Sequence, residues 1–402
     1  MTIINREFTL LLATRVIFTS GMKMVPVLLG WYLYELTGSK LALGVLGLSE
    51  VVPAILFALP AGVKVDSSPK RSLILACLAA YVATMAAFWA VTSGSFTNTA
   101  SFLKNAIFVL VGVTGWVRAY ISPAFSAILG QVVPGEDLVR AASITSMSWL
   151  IAAVIGPAAA GLMIGLMDVS VSFIIVGVMI LLAGVIFSRV GEKPISYEKG
   201  STRTWHSVVE GLNFVYNQKA LLGAMSLDMF AVLFGGAVAL LPVFAKDILN
   251  VGPQAFGLLM SATYLGNFLA ILYLTRYPLR GGQGRKLLIS VAGFGACILV
   301  FALSKSFILS FLALFVSGLF DGVSVIIRGT IFQLLVPEQM RGRVSAVSSI
   351  FINSSNELGQ FESGVAASLL GTVPSVIFGG CMTMLITLAA WLKVPALKKM
   401  EY

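Results

Sequence analysis

The chain has 402 residues, of which 58% are hydrophobic and only 11% are charged, and its net charge is +10. A soluble protein is usually about one quarter charged, so this composition excludes an ordinary soluble enzyme. The positive charge alone would permit nucleic-acid binding, but the placement of the basic residues indicates membrane topology instead.

Apolar runs separated by polar breaks predict twelve helices, each long enough to cross a hydrocarbon core of about 30 Å. The run after Arg6 is too long for a signal peptide and has no small-residue cleavage site, so we interpret it as a retained first helix. The predicted helices are 8–34, 41–63, 71–92, 105–131, 140–166, 170–188, 220–246, 254–275, 286–304, 307–335, 344–370 and 373–392.

The longest polar stretch separates two sets of six helices. We therefore predict a first half at 1–190, a cytoplasmic linker at 191–219 and a second half at 220–402. The later part of the linker has the pattern of an amphipathic surface helix. Residues of the first half recur in the second at an offset of 203, which is typical of the internal repeats of secondary transporters. The pairs are Gly115 with Gly318, Arg118 with Asp321, Val133 with Val336, Pro134 with Pro337, Arg140 with Arg343, Gly156 with Gly359, and Gly161 with Gly364.

Basic residues are distributed unequally between the two sides of the predicted membrane. Nineteen of the 27 Lys and Arg residues fall on the side of the termini and linker, and only four fall on the other side. By the positive-inside rule the termini and linker are cytoplasmic. The basic excess is therefore a topology signal, and we expect no nucleic-acid partner.

The loop between the second and third predicted helices resembles a signature of the major facilitator superfamily, G-x-x-x-D-[RK]-x-G-[RK]-[RK]. The matching residues are Gly62, Asp66, Lys70 and Arg71, whereas 67 and 69 depart from it as serine and proline. The resemblance implies that the aspartate caps a helix of the opposite half.

The candidate for the capped helix is the start of the eleventh, near Arg343. A carboxylate there would gain from unpaired N–H groups and the helix dipole, worth about 0.3–2 kcal/mol. With Arg71 and Arg341, the loop would then gate the cytoplasmic side; alternatively it serves topology alone.

Gly156, Pro157 and Gly161 in the fifth predicted helix resemble an antiporter signature, G-P-x-x-G-G, with alanine at 160. Small residues allow helices to approach closely, and proline permits a kink. We predict a hinge here, and the resemblance favours export; ordinary close packing is the alternative.

Ionisable residues inside membrane helices are costly unless paired or hydrated, so each is a candidate site residue. The resemblance directs the first, fourth, seventh and tenth helices towards a central cavity. Arg118 and Asp321 are equivalent in the repeat, and we expect them to face each other or a shared substrate. The candidates for substrate or proton binding are Lys23, Glu50, Arg118, Asp228, Asp321, Arg328, Asn353 and Glu357.

Burial and a nearby like charge both favour the protonated carboxyl, as proton coupling requires. The resemblance implies that the second helix lies beside the eleventh, so we expect Glu50 and Glu357 to approach each other. Structural pairing of the carboxylates with Arg118, Lys23 or Arg328 is the competing interpretation.

Longer strings resemble the enterobactin-exporter branch of the superfamily over nearly the whole chain. They are 226–228, 325–328, 336–337 with 341–344, and 356–359 with 362–364. The resemblance implies an antiporter that uses protons to drive efflux of siderophores or drug-like, amphipathic molecules across a bacterial inner membrane. Drug resistance would be one consequence.

Two other classes of function remain. One is an importer or facilitator of a small nutrient or metal ion, although no clustered histidines or cysteines have metal-ligand spacing. The other is a membrane enzyme or scramblase, but we find no G-x-S-x-G. No nucleotide-binding loop G-x-x-x-x-G-K-[ST] occurs, so we expect no cofactor. We expect a monomer whose partners are protons, a small-molecule substrate and membrane lipid.

Overall fold

A computed structural model describes residues 5–94, 99–194 and 204–401. The described residues form helices and short connections, which confirms the predicted all-α fold. The helices are α1 Arg6–Thr37, α2 Lys40–Leu56, α3 Ala58–Ser67, α4 Lys70–Thr92, α5 Ala100–Val132, α6 Leu138–Leu166, α7 Val169–Phe187, α8 Thr204–Asn217, α9 Lys219–Gly235, α10 Leu241–Val243, α11 Pro253–Arg276, α12 Gln283–Leu303, α13 Phe307–Leu335, α14 Glu338–Leu370, α15 Thr372–Lys393 and α16 Pro395–Lys398.

Ten helical segments within the described residues are long and apolar enough to cross a membrane, one of them being α9 with its continuation to Ile248. The pair α2 and α3 forms an eleventh if it is one broken span. The 33-residue α14 is the predicted polar helix, and it is long enough to be the twelfth. The protein is therefore a multi-pass membrane protein.

The second predicted helix is not continuous as expected for 41–63. It breaks at Phe57, and the segments Lys40–Leu56 and Pro60–Ser67 are bent by 56°. Pro60 has no N–H to donate to the Leu56 carbonyl, four residues earlier, which explains why the helix breaks there.

The seventh predicted helix, 220–246, is also interrupted. After α9 the backbone turns at Gly236 and continues through a 3-10 segment, α10 and a π-helical turn to Ile248. At the break, the Gly236 carbonyl accepts a hydrogen bond from the Ser363 hydroxyl at 3.1 Å. Hydroxyl side chains commonly satisfy such backbone groups in membrane helices.

The eleventh predicted helix begins earlier than expected. It starts at Glu338, directly after the N-cap residue Pro337, so Arg343 lies in its second turn rather than at its start. The fixed φ and missing N–H of proline suit the position before a helix, where no N–H bond is needed. The later part of the predicted linker is helical, as α8.

The chain divides into two compact units. The first comprises Met1–Gly38, Ser49–Gly200 and Gly252–Ser261, and the second comprises Ser39–Leu48, Ser201–Val251 and Ala262–Tyr402. The start of α2 belongs to the second unit and the start of α11 to the first, and the predicted bounds of the two halves and the linker stay a prediction.

Each unit contains a close crossing of two glycines. In the second unit a Cβ atom at Gly364 would lie 2.6 Å from the Cα atom of Gly44. In the first unit a Cβ atom at Gly257 would lie 2.7 Å from the Cα atom of Gly161. Gly364 follows Gly161 by 203 residues and Gly257 follows Gly44 by 213, so the internal repeat relates the two crossings.

We predict that Gly364→Val destabilises the protein by about 1–3 kcal/mol, because the added side chain has no space beside Gly44. Thermal unfolding in detergent measures the change. Gly329→Val is the matched control, since a Cβ atom at Gly329, also inside a helix, meets no atom within 4 Å. Equal losses for both variants would show that the crossing is not the cause.

Candidate functional site

Two carboxylates share one arginine inside the second unit. Arg328 Nη1 forms an ion pair with Asp228 Oδ2, and its Nη2 lies 3.8 Å from Asp321 Oδ1. The other oxygen of Asp321 accepts a hydrogen bond from Asn267 Nδ2 at 2.7 Å. The arrangement thus joins α9, α11 and α13 through polar contacts.

Helical geometry explains why these groups meet. Asp321 and Arg328 are seven residues apart on α13, two turns on one face, and the long arginine side chain spans much of the distance. Arg328 Nε also donates to the Ser324 carbonyl on the same helix, at 3.3 Å. Asp228 enters from α9, which packs against α13.

The cluster, defined as Asp228, Asp321, Arg328 and Asn267, has unequal exposure and charge. The side chains of Asp228 and Arg328 are 10% and 15% exposed, whereas that of Asp321 is 32% exposed. Two ionised carboxylates and one guanidinium leave a formal charge of −1. Asp228 has a close cationic partner, while Asp321 relies on a neutral amide and a more distant guanidinium.

A small cavity of about 20 Å³ adjoins the cluster. It is large enough for one water molecule or a group of similar size. Its lining combines the two carboxylates, two hydroxyls, two phenyl rings and three aliphatic side chains: Asp228, Asp321, Ser290, Ser324, Phe294, Phe320, Ala231, Val232 and Val291.

A second intramembrane ion pair lies in the first unit. Arg118 Nη1 of α5 lies 2.8 Å from Glu50 Oε1 of α2. The two helices approach closely at this point: a Cβ atom added at Gly115 would collide with the Glu50 backbone. On α1 the Lys23 ammonium lies over the Trp149 ring, 4.6 Å from its centroid. Arg118 and Asp321 therefore have partners inside their own units, and their expected mutual approach stays a prediction.

The polar face of α14 lies in the second unit. Glu357 is buried, and Asn356 Nδ2 donates to the Ile352 carbonyl of its own helix at 2.9 Å. The Gln360 side chain lies against Gly47, where a Cβ atom would be 3.0 Å from its Oε1. The side chain of Asn353 lies outside the described residues. The expected approach of Glu50 to Glu357 remains a prediction.

Lys70 of the loop signature stabilises the end of a helix. Its side chain is buried and its ammonium donates to the carbonyls of Val65, Asp66 and Ser68, at 2.6, 3.0 and 3.2 Å. A cation at this position satisfies the free carbonyls and favours the negative end of the helix dipole. A basic residue here is therefore explained by the local fold.

Arg71 contacts residues that follow α7 in the first unit. Its Nη2 donates to the Ser188 carbonyl at 2.5 Å, and its Nη1 lies 3.3 Å from Glu192 Oε1. The Asp66 side chain is exposed, and a Cβ atom at Gly62 meets no atom within 4 Å.

The two arginines of α14 that are predicted to gate have partners in the second unit. Arg343 Nη1 lies 2.6 Å from Glu210 Oε1 of α8, and Arg341 Nη1 lies 3.8 Å from Glu338 Oε1, three residues earlier. Gly211 packs against the Arg343 carbonyl, which a Cβ atom would approach to 2.9 Å. Arg343 thus ties the linker helix to α14.

The predicted hinge residues lie at close helix contacts. A Cβ atom at Gly156 would lie 2.8 Å from the Ser20 carbonyl of α1, and one at Gly257 would lie 2.5 Å from the Pro157 carbonyl. Gly161 forms the glycine crossing described above. These contacts explain the small residues by packing, and the hinge itself stays a prediction.

Several residues at the site were missing from the sequence prediction. Asn267 gave a signal, because an amide within an apolar run has few partners in lipid. Glu210 and Trp149 gave none, since a linker carboxylate and a membrane tryptophan are both common. Ser290 and Phe320 are recognised only through the cavity that they line.

The model of the Major Facilitator Superfamily matches residues 11–360 and, in a second match, residues 234–400. The chain belongs to this superfamily. The predicted fold class, two six-helix halves forming the major facilitator fold, and the prediction that the chain is not an enzyme are both confirmed.

Similar bacterial proteins cover much of the chain at low identity. YfmI of Bacillus subtilis, an uncharacterised MFS-type transporter, is 23% identical over 63% of this chain, and the match spans 65% of YfmI. The staphyloferrin A transporter of Staphylococcus aureus is 22% identical over 90% of this chain and 89% of its own. Macrolide efflux protein A of Streptococcus pyogenes is 20% identical over 92% and 91%. These relatives are named for transport or efflux.

Solved transporter structures share the fold. The nucleoside transporter NupG matches 99% of this chain and 100% of its own with a TM-score of 0.71 at 14% identity. A D-xylose-proton symporter matches 98% and 99% with a TM-score of 0.75 at 13% identity.

We predict that Arg328→Met destabilises the protein by about 3–5 kcal/mol, because it leaves Asp228 buried without its cation. The double variant Asp228→Asn with Arg328→Met should recover part of the loss, since no buried charge is then left unpaired at that position. Unfolding in detergent measures both.

Arg341→Met is the matched control, because its ion pair with Glu338 is exposed and should contribute no more than about 1 kcal/mol. An Arg328→Met variant as stable as this control would contradict a structural role for the buried ion pair.

Proposed function

We propose that the protein is a proton-coupled exporter of small organic or amphipathic molecules, siderophore or drug-like in character. It works by alternating access, as a monomer surrounded by lipid in a bacterial inner membrane, with both termini cytoplasmic. Asp228 and Asp321 exchange the proton, and Arg328 responds to their charge.

The observation that carries this proposal is the cluster of two carboxylates and one guanidinium in the second unit. Charges inside a membrane helix are costly, so a chain that keeps three of them together has a use for them. Asp321 is only partly compensated and partly exposed, which suits a carboxylate that gains and loses a proton. Asp228 is paired with Arg328. If that arginine moved towards Asp321, Asp228 would lose its cation and could then take up a proton.

Export is supported by the relatives rather than by geometry. One relative is named for transport of the siderophore staphyloferrin A and another for macrolide efflux. We extend both kinds of cargo to this chain. The strings at 226–228 and at 356–359 with 362–364 support a position near the enterobactin-exporter branch. Import of a small nutrient is the alternative that the transport experiment below distinguishes.

We predict that purified protein in liposomes transports ethidium faster under an imposed pH gradient, with export opposite to proton flow. Asp321→Asn or Asp228→Asn should remove the dependence on the gradient, because an amide carries no exchangeable proton at neutral pH. Fluorescence of ethidium, with DNA trapped on the acceptor side, measures the rate.

Glu136→Gln removes an exposed carboxylate and should leave the dependence unchanged. Retention of proton coupling in variants of every intramembrane carboxylate would exclude the assignment, and transport along the proton gradient would favour import.

We further predict that Asp66→Asn shifts the protein towards the inward-open state. The start of α14 has no side-chain cap of its own, and the proposed role of the Asp66 carboxylate is to cap it when the cytoplasmic side is closed. In a background without native cysteines, thiol labelling at Gly130→Cys should become faster; a new side chain there meets open space. Asp168→Asn, at the start of α7, is the control. Identical labelling rates in both variants would leave the loop with a topological role only.

A further inference from the structure

We infer that the cavity beside Asp321 binds the ammonium group of a cationic, amphipathic cargo. This inference rests on the proposed function and deepens it by naming the chemical class of the cargo.

Charge favours a cation at this position. Asp228 is neutralised by its ion pair with Arg328, while Asp321 has an amide donor at 2.7 Å and a guanidinium nitrogen only at 3.8 Å. A partly buried carboxylate with incomplete compensation attracts a cation or a proton and repels an anion. The cavity therefore excludes a carboxylate or phosphate head group.

Two serine hydroxyls add hydrogen-bonding capacity to the cavity. Ser290 is 4% exposed and Ser324 is 3% exposed, and both line the cavity. A hydroxyl oxygen accepts an N–H hydrogen bond, as an ammonium group requires.

Phenyl rings complete the lining on the apolar side. Both rings pack closely against glycines. A Cβ atom at Gly293 would lie 2.6 Å from the Phe320 ring, and one at Gly235 would lie 2.7 Å from the Phe294 ring. Aromatic faces attract organic cations and also accept the apolar part of an amphipathic molecule. A sodium ion fits less well, because it gains nothing from the apolar walls.

Size restricts what enters. A cavity of about 20 Å³ holds one ammonium group but not a whole cargo molecule. Asp321 lines the cavity and retains 32% exposure, so we expect the remainder of the cargo to stay outside, on the side of this carboxylate. Proton and ammonium then compete for the same carboxylate, which links the cargo to the proposed exchange.

The test compares three ligands of similar shape on the full chain in detergent. Thermal unfolding in phosphate buffer is measured with 2-phenylethylammonium, neutral 2-phenylethanol and anionic phenylacetate, and with sodium chloride alone. The inference predicts that only 2-phenylethylammonium raises the unfolding temperature. Equal shifts with the neutral alcohol or with sodium would overturn it.

Variants locate the site. Asp321→Asn should weaken 2-phenylethylammonium binding about tenfold or more, because a charge-assisted hydrogen bond is lost. Ser290→Ala and Phe320→Leu keep the carboxylate and should weaken binding about two- to fivefold, which keeps the inference testable if Asp321→Asn does not fold. Glu136→Gln should have no effect. Unaltered binding in Ser290→Ala and Phe320→Leu would place the ammonium elsewhere and refute the inference.

Failure of this inference and failure of the proposed function give different results. Proton-driven ethidium transport without selective 2-phenylethylammonium binding would refute the ammonium site alone. Selective binding without any proton-driven transport would instead refute the exporter proposal.

Discussion

Charge buried in an apolar bundle is the constraint on which the second unit depends. Arg328 lies between Asp228 and Asp321, and its guanidinium has to serve both carboxylates from one position. Removing a charged group from water costs several kcal/mol unless a partner compensates it. The partner at Asp228 is close and the partner at Asp321 is distant, so a change of charge at Asp321 alters the balance of the whole cluster. This imbalance makes the cluster suited to exchange a proton or a cation.

The internal repeat of the sequence is also visible in individual helix contacts of the structure. Gly44 with Gly364, and Gly257 with Gly161, are equivalent crossings that place backbone against backbone without side chains between them. The duplicated fold does not duplicate the chemistry, however. Arg118 pairs with Glu50, whereas the equivalent residue Asp321 bonds to Asn267. Packing positions were thus retained in both halves, while the charged positions diverged.

Sequence patterns predicted the helices well, because apolar length and polar breaks are local properties. Long helices such as α5 and α13 lie within a few residues of their predictions. The breaks at Phe57 and Gly236 were missed, since proline and glycine are tolerated inside many membrane helices. Site geometry was only partly predictable. Spacing placed Asp321 and Arg328 on one face, but the role of Asn267 depends on how α11 packs.

The basic residues of the loop signature stabilise the local fold, apart from the proposed gating. Lys70 satisfies three backbone carbonyls, and Arg71 holds the Ser188 carbonyl, so both basic residues stabilise their own unit. The Asp66 side chain, by contrast, is exposed. A substitution at Lys70 would therefore disturb folding as well as the proposed gating, whereas one at Asp66 would leave these carbonyl contacts intact. For this reason the carboxylate, rather than the basic residues, is the position at which gating can be tested separately from stability.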